Sequence, residues 1–415
     1  MLDWLVIGGG PHGVHTALRL VGEADVPRDA IRILDDEQRL LARWRRSTRN
    51  TGMQYLRSPG VHHIDLPWAC LQRFADGPGR GVERPFTRPY FRPALELFDL
   101  HCEDVIERHR LQELHVRGRA TRLDLTDVGV RVGFEDPADG SRRGDIEARH
   151  VILAIGAPRE PAWPDWARRA VGRLDEARGP ASTGRIRHVF DPGFELVDDA
   201  DNTAVAVVGA GISGAQVALR LAHEGRRVML VSRHALRVQQ FDSDPGWQGP
   251  RNMVGFARLG DPDERRDRIR TARHRGSMPA EVHAALLRAF AEGTIELVEE
   301  AEIVSARVSD RDVSLELEGR SIRADRVLLA TGFPGRRPGG AWLDEAVDSL
   351  GLPCAACGYP IVDRDLRWHP RLFVTGPLAE LELGPVSRNL SGAQRAGDRI
   401  VIAAQQMETP ARRVA

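Results

Sequence analysis

The sequence predicts an α/β protein with two Rossmann-like dinucleotide-binding domains, because one glycine fingerprint occurs twice, each time between an apolar strand and a helix. The first copy is Gly8-Gly9-Gly10-Pro11-His12-Gly13, between Leu5-Val6-Ile7 and a helical stretch at 14–20. The second copy is Gly209-Ala210-Gly211-Ile212-Ser213-Gly214, between residues 204–208 and 215–221. The first two glycines allow a pyrophosphate to approach closely, and the third lets the helix pack on the strand.

The two copies differ in the residue that ends the next strand. After the first copy, the apolar strand 31–34 leads to Asp35, whose carboxylate can bond ribose hydroxyls and would repel a 2′-phosphate. After the second, strand 228–231 leads to Ser232-Arg233-His234, a hydroxyl, a guanidinium and an imidazole that suit a 2′-phosphate. The first site is therefore predicted to take FAD or NAD and the second NADP. A chain with both is most simply a flavoprotein that NADPH reduces.

The order of the motifs predicts a glutathione-reductase-like arrangement in which one domain is inserted into the other. We predict a discontinuous FAD-binding domain at 1–156 and 326–415, a linker at 157–200 and an NADPH-binding domain at 201–325. The alternating stretch from His115 to Glu135 predicts a small antiparallel meander. A late strand at 372–376 and a helix at 389–405 complete the first domain.

Composition narrows the function classes. The chain has 415 residues and a formal net charge of zero, so charge gives no reason to expect binding to nucleic acid or to an anionic membrane. No stretch approaches the ~18–20 apolar residues of a spanning helix. Residues 1–10 are already a strand and a turn, so we expect no signal peptide and a cytoplasmic protein. The chain contains no lysine, which excludes Schiff-base chemistry and a phosphate-loop lysine.

Two of the four cysteines, Cys354 and Cys357, form a Cys-x-x-Cys pair. Such a pair can exchange disulfides or hold half of a zinc site, but a structural zinc needs four ligands and no second pair exists. We therefore predict no metal site. The pair is either a tight loop of small residues or a redox pair, and both interpretations stay open.

Several further motifs resemble those of class B flavin-dependent monooxygenases, most closely the L-ornithine and L-lysine N-monooxygenases. The matching segments follow the family order along most of the chain: Met53-Gln54, residues 88–101, Gly184-x-x-x-His188 with Phe190, residues 265–278, Ala330-Thr331-Gly332-Phe333, and Gly376, Glu380, Gly384 and Leu390-Ser391. The resemblance implies that NADPH reduces FAD and that reduced flavin and O2 form a C4a-hydroperoxide. A small nucleophile, such as an amine or amino acid nitrogen, would then take the distal oxygen.

The chain departs from that family where the substrate binds. Pro59 stands where the ornithine enzymes carry a substrate-binding lysine, Phe241-Asp242-Ser243-Asp244 occupies the region of their Asn-Glu motif, and Arg275 falls near one of their asparagines. The resemblance therefore implies flavin and NADPH chemistry more firmly than ornithine or lysine as the substrate. The resemblance is also compatible with a homo-oligomer.

Position and resemblance together give the candidate site residues. Gln54 and Asn389 are the predicted catalytic residues, with Gln54 holding the nicotinamide or the peroxide. Arg57 is predicted to bind a substrate carboxylate, and either His62 or His63 to face the flavin, with His62 chosen for the substrate. The predicted FAD-binding residues are Gly8, Gly10, Pro11, Gly13, Asp35, Trp44, Gln54, Gly376, Leu390 and Ser391. The predicted NADP-binding residues are Gly209, Gly211, Ser213, Gly214, Gln216, Ser232, Arg233, His234, Thr331 and Gly332.

Three functions remain as alternatives. The first is an NADPH-dependent FAD monooxygenase acting on a small-molecule substrate and O2. The second is a flavin disulfide reductase, or another FAD oxidoreductase, that uses Cys354 and Cys357. The third is an FAD-binding protein without catalytic activity. Oxygen consumption per NADPH separates the first from the second.

Overall fold

The computed structural model describes residues 1–175, 183–196 and 204–408, and these contain twelve α-helices and twenty strands. The helices are Pro11–Glu23 (α1), Ala42–Thr51 (α2), Cys70–Asp76 (α3), Leu95–Arg108 (α4), Asp165–Asp175 (α5), Ile212–His223 (α6), Pro250–Ala257 (α7), Pro262–Ala272 (α8), Ala280–Ala291 (α9), Ala341–Leu350 (α10), Glu380–Leu383 (α11) and Leu390–Glu408 (α12).

The strands are Leu2–Ile7 (β1), Ile31–Asp35 (β2), Phe86–Thr87 (β3), Arg92–Pro93 (β4), His115–Arg117 (β5), Arg119–Leu125 (β6), Val130–Glu135 (β7), Arg143–Leu153 (β8), Ile186–His188 (β9), Ala204–Val208 (β10), Arg227–Val231 (β11), Arg237–Val238 (β12), Ser277–Met278 (β13), Ile295–Val298 (β14), Ile303–Val308 (β15), Val313–Leu317 (β16), Arg320–Ala324 (β17), Arg326–Leu329 (β18), Arg367–His369 (β19) and Leu372–Val374 (β20).

The first sheet has the order β19-β20-β8-β1-β2-β5, and β1 runs parallel to both of its neighbours. Strands β6, β7 and β8 form an antiparallel meander at one side of it. This confirms the meander and the late strand that the sequence predicts. We call the elements on this sheet the first unit.

The second sheet has the order β14-β11-β10-β18-β9 and is parallel throughout. The antiparallel strands β15–β17 accompany it, and together they form the second unit. The chain leaves the first sheet after β8 and rejoins it at β19 and β20, so the second sheet is inserted into the first unit. The predicted fold class is confirmed.

The limits of the two domains remain a prediction, but strand pairing extends the second sheet past both predicted ends. Strand β18 begins at Arg326, where the predicted FAD-binding domain resumes, and it pairs with β10. The predicted linker 157–200 contains α5 and β9, and β9 pairs with β18. Residues 176–182 and 197–200 of that linker lie outside the described residues.

Each central strand is buried on both faces, which is why its sequence is continuously apolar. In β1, Trp4 and Val6 pack into one cluster with residues of α1, α4 and α12, whereas Leu5 and Ile7 pack into a second cluster with β8 and β20. The central strand of the second sheet divides its side chains between two clusters in the same way. Within the described ranges, no helix is both long and apolar enough to traverse a bilayer.

Both glycine turns depend on the contact between their first and third glycines. A Cβ on Gly13 would lie 1.8 Å from the carbonyl oxygen of Gly8, and one on Gly214 would lie 1.7 Å from that of Gly209. The first glycine of each turn also has a positive φ, +115° at Gly8 and +108° at Gly209. Side chains are excluded at these positions by the fold itself, before any ligand is considered.

The two glycine positions of the first turn should therefore respond differently to alanine. Gly13→Ala must displace the turn or the helix, and we expect it to destabilise the protein by about 3 kcal/mol or more. Gly10→Ala is the matched control, because no atom lies within 4 Å of its Cβ position. We expect that change to alter the free energy of unfolding by about 0.5 kcal/mol or less. Urea denaturation of both variants tests this, and equal losses would contradict it.

Candidate dinucleotide and flavin site

The first glycine turn presents an open N-terminus of helix α1. Gly10 is the N-cap, with φ −77° and ψ −177°, and no side chain caps the helix. Pro11 occupies the first helical turn, where its missing N–H costs no hydrogen bond. With open space at the Cβ position of Gly10, the unpaired N–H groups of the helix can receive an anion.

Asp35 lies at the carboxyl end of β2, directly beside this turn. The Gly9 N–H donates to its Oδ2 at 2.6 Å and the Glu37 N–H to its Oδ1 at 2.9 Å. Burial nevertheless raises the pKa of Asp35 to about 6, while the two N–H bonds lower it. Each oxygen accepts one backbone bond and keeps a second lone pair, which is what a ribose hydroxyl needs.

A shallow polar cleft opens next to Asp35. Its lining combines carboxylates and guanidinium groups from the loop after β2, from α2 and from the segment after β9: Asp36, Glu37, Arg43, Arg46, Ser47, Asn50, Arg159, Val189, Phe190, Asp191 and Pro192. Because Asp36 and Glu37 follow Asp35 in the chain, the cleft adjoins the site that the sequence predicts for a ribose.

The N-terminus of α12 faces the same turn from the other side. Asn389 caps this helix, because its Oδ1 accepts the Gly392 N–H at 3.1 Å and the Ser391 hydroxyl at 2.6 Å. Gly376 lies against the ring of His12, with its Cβ position 3.6 Å from Nδ1. The prediction placed Asn389 in catalysis. Its carboxamide oxygen is engaged in helix capping, and the catalytic role stays a prediction.

His12 joins the glycine turn to the end of β20, a contact that the sequence prediction missed. Its Nδ1 lies 2.9 Å from Oγ1 of Thr375. Burial lowers the pKa of His12 to about 4, so the ring is neutral at physiological pH. The only sequence signal was its position inside the fingerprint, where a histidine is not needed for the turn.

Trp44 and Gln54 lie in different surroundings. The Trp44 indole N–H donates to Oδ1 of Asp99 at 3.3 Å, and its ring packs 5.8 Å from that of Phe98. The Gln54 side chain is exposed, and its backbone carbonyl accepts the Leu95 N–H at 2.8 Å. Trp44 is thus held by core packing, whereas Gln54 is accessible to a ligand.

Arg57 contacts the second unit rather than open space. Its Nε donates to the Gln240 carbonyl at 2.9 Å, and its Nη2 donates to the Gln239 carbonyl at 2.8 Å and to Oγ of Ser277 at 2.9 Å. Burial lowers the pKa of Arg57 below its usual value. Its predicted role at a substrate carboxylate has to compete with these three bonds.

The adjacent histidines face different partners, as expected for neighbours on an extended chain. His63 is buried, with Nε2 3.1 Å from the Trp68 carbonyl. His62 is half-buried, and its pKa is lowered to about 4 by burial and by the nearby charge of Arg395. His62 is therefore neutral and remains the better candidate for a contact with a substrate.

The second glycine turn repeats the geometry of the first at the N-terminus of α6. We call these two open helix N-termini, at Gly10 and at Gly211, the first and the second cradle. Gly211 is its N-cap, with φ −76° and ψ −178° and no side-chain cap. Ser213 is half-buried, and Gln216 is buried further along the helix. The turn after β18 lies beside this cradle, where the Thr331 hydroxyl donates to the Ala162 carbonyl at 2.5 Å and Gly332 has φ +76°.

The strand end that the sequence assigns to a 2′-phosphate is accessible. Arg233 and His234 are exposed at the end of β11. In the part of the chain that the structure describes, no partner contacts the Arg233 guanidinium. Ser232 is buried, and its hydroxyl donates to the His234 carbonyl at 2.5 Å. Arg233 is thus available to an anionic ligand, while Ser232 shapes the turn.

A buried ionic cluster that the sequence did not predict joins the two units. Glu380 is fully buried, and three guanidinium groups surround it: Arg266 from α8, Arg273 that follows α8, and Arg388 that precedes α12. Arg388 lies 2.7 Å from Oε2, and it also donates to the Tyr359 hydroxyl at 2.9 Å. Burial lowers the pKa of Arg273 to about 9. Glu380 belongs to the pattern shared with the N-monooxygenases, which was the only sequence signal.

A second connection runs through Asn50, which is buried in α2. Its Nδ2 donates to the carbonyls of Val189 and Phe194, at 3.0 and 2.8 Å, and its Oδ1 accepts the Leu196 N–H at 2.9 Å. The segment after β9 is therefore fixed to the first unit. The contacts of Glu380 and Asn50 therefore connect the unit that carries the first cradle to the unit that carries the second.

Cys354 and Cys357 are both free and half-buried. The Ala355 N–H donates to the Tyr359 carbonyl at 2.9 Å, so the pair lies in a tight turn. Burial raises the pKa of the Cys354 thiol, which disfavours the thiolate needed for disulfide exchange.

Comparison with known proteins gives structural relatives only. No family model and no curated protein matches the sequence. An ornithine N-hydroxylase from Kutzneria sp. 744, whose solved structure holds reduced FAD, NADP+ and L-ornithine, superposes with a TM-score of 0.73 at 18% identity, covering 98% of this chain and 100% of that one.

Two further structures extend the comparison. The desferrioxamine-pathway cadaverine monooxygenase from Erwinia amylovora, solved with FAD, gives a TM-score of 0.71 at 15% identity, covering 98% of this chain and 95% of that one. The bacillithiol disulfide reductase from Bacillus cereus gives 0.60 at 15% identity, covering 98% and 99%. The chain therefore has the two-unit fold of the flavoprotein N-monooxygenases along nearly its whole length.

The Glu380 cluster gives a test of how firmly the units are joined. Glu380→Gln removes the buried negative charge that compensates three guanidinium groups, of which that of Arg266 is itself buried, and we expect a loss of about 3–5 kcal/mol of stability. The matched control is Glu382→Gln, which also bonds two arginines but is less buried. We expect the control to lose about 1 kcal/mol. Thermal unfolding measures both, and a larger loss in the control would contradict the account.

Proposed function

We propose that this chain is an FAD- and NADPH-dependent monooxygenase that transfers one oxygen atom of O2 to a nucleophilic nitrogen of a small amine or amino acid. The observation that carries the proposal is the difference between the two cradles. One ends in a carboxylate, Asp35, and the other in the exposed cation Arg233. Two of the three relatives named above are monooxygenases of ornithine and cadaverine, and they superpose with higher TM-scores than the disulfide reductase, which supports nitrogen as the target.

The residues of the first unit fit FAD. The uncapped helix at Gly10 can take the pyrophosphate, and Asp35 can accept hydrogen bonds from the adenosine ribose. The N-terminus of α12, at Leu390 and Ser391, can meet the polar edge of the flavin together with Gly376. Bound flavin would supply hydride acceptance and O2 activation. The protein's part is to orient the flavin and to keep water away from it.

The residues of the second unit fit NADPH. Gly209, Gly211 and Gly214 form the turn for the pyrophosphate, and Arg233 with His234 can bind the 2′-phosphate. Thr331 and Gly332 lie at the end of the neighbouring strand, where the nicotinamide half would pass towards the first unit. Gln54 is exposed on the first unit and is proposed to hold the nicotinamide amide.

The substrate would lie beside Gln54 and His62. A neutral His62 adds no positive charge, so it does not repel a substrate amine that arrives as its ammonium form. Arg57 is a weaker candidate for a substrate contact than the sequence suggested, because three of its five N–H donors are already engaged with acceptors of the second unit. Because this chain contains no lysine, the residues that select the substrate must be of other types.

Oxygen stoichiometry separates this function from its alternatives. With FAD-loaded protein and NADPH, we expect one O2 consumed per NADPH, released as H2O2 without substrate and used for hydroxylation when a suitable amine is present. A screen of amines, amino acids and thioethers for faster flavin reoxidation, with products checked by mass, would identify the substrate. NADPH consumption without O2, dependent on a disulfide and lost in Cys357→Ser, would favour a disulfide reductase instead.

Coenzyme choice tests the second cradle. Arg233→Ala removes the guanidinium proposed to meet the 2′-phosphate, so the KM for NADPH should rise about tenfold or more while that for NADH stays nearly constant. Steady-state kinetics with both coenzymes measures the difference. Arg320→Ala, an exposed arginine on β17, serves as the control and should leave both values unchanged. Equal effects of Arg233→Ala on the two coenzymes would count against the assignment.

A further inference from the structure

The two cradles share one backbone geometry but differ in what lies above them. Gly10 and Gly211 have nearly equal φ and ψ as N-caps of α1 and α6. Above Gly10 there is open space, whereas the Cβ position of Gly211 lies 3.3 Å from Cα of Gly276 and 3.7 Å from its carbonyl carbon. A backbone turn thus occupies the close approach that a pyrophosphate uses at a second glycine.

This covering turn consists of residues 274–277. Gly276 has φ +68°, a left-handed conformation that glycine adopts without strain. Inside the turn, the Ser277 hydroxyl donates to the His274 carbonyl at 2.6 Å. At its start, the His274 N–H donates to the Asp242 carbonyl at 2.8 Å. These two hydrogen bonds and the conformation of Gly276 therefore give the covering turn a fixed geometry.

Arg57 holds the covering turn from the first unit. Its three bonds reach Ser277 in the turn and the carbonyls of Gln239 and Gln240 at the end of β12, the strand that pairs with β13. Just beyond the turn, Arg92 lies 2.6 Å from Oε1 of Glu281. The first unit thus contacts the chain at Ser277 and again at Glu281, both of which follow Gly276.

We propose that Arg57 is a positioning residue that latches the covering turn over the second cradle and so controls the binding of NADP(H). The inference rests on the proposed function, in which that cradle holds NADPH. Because the turn occupies the place that the pyrophosphate uses, it has to move before the nucleotide binds, and the contacts of Arg57 are broken in the bound state. Loosening the latch therefore raises the association rate constant and leaves the dissociation rate constant nearly unchanged.

The test measures NADP+ binding to FAD-loaded protein without substrate, by stopped-flow observation of the flavin spectrum. In Arg57→Ala, the association rate constant should rise about tenfold, because charge-assisted hydrogen bonds that hold the turn closed are lost, whereas the dissociation rate constant should stay nearly unchanged. Arg57→Lys restores the charge but reaches fewer acceptors, so its association rate constant should fall between the two. FAD content and the melting temperature show that each variant is folded.

Two further variants keep the test sharp. Ser277→Ala removes the acceptor inside the turn and should raise the association rate constant to a smaller extent, even if Arg57→Ala does not fold. Arg28→Ala is the matched control, because Arg28 donates to the carbonyls of His109 and Arg110 at 2.8 and 2.7 Å within the first unit. Its rate constants should equal those of the wild type.

The outcomes distinguish the latch from the proposed function. An unchanged association rate constant in Arg57→Ala and Ser277→Ala, or slower association, would overturn the latch. Wild-type rates combined with a raised KM for the substrate would overturn it too, and would place Arg57 at the substrate as the sequence suggested. Failure of the wild type to bind NADP+ would overturn the proposed function and the latch with it.

Discussion

The contact between the first and third glycines of each turn is the constraint on which the rest of the structure depends. The carbonyl of Gly8 lies where a Cβ of Gly13 would be, and the carbonyl of Gly209 does the same at Gly214. This contact brings the helix against the strand and points the N-termini of α1 and α6 outward with their N–H groups unpaired. Two anion-binding helix ends result, each at the carboxyl edge of a parallel sheet.

The two helix ends are equal in backbone and differ in charge. At the first, the N–H groups of Gly9 and Glu37 hold Asp35 beside the turn, so a negative group faces any ligand there. At the second, Arg233 is exposed and positive. Since a carboxylate repels a 2′-phosphate and a guanidinium binds it, the same turn could serve the two different nucleotides that we propose. The ionic cluster at Glu380 and the amide of Asn50 join the two units, and hydride transfer between the proposed nucleotides would require such a connection.

Local sequence patterns predicted the fold, the inserted second sheet and the position of Asp35, because periodicity and glycine spacing determine elements one at a time. Contacts between distant segments could not be predicted in this way. Arg57 stands in a segment that resembles a substrate-binding region, yet its acceptors lie at Gln239, Gln240 and Ser277, far along the chain. Asn389 was assigned to catalysis, although capping of α12 already engages its carboxamide oxygen. Glu380 was noted in a pattern, but its three arginines come from separate segments.

Anaerobic titration of the FAD-loaded protein with NADPH tests the central claim, that the two cradles hold a flavin and its reductant within reach of each other. The account predicts that the visible absorption band of the flavin bleaches completely with about one equivalent of NADPH, and far more slowly with NADH. A protein that binds FAD but keeps its flavin oxidised after NADPH is added would contradict the account.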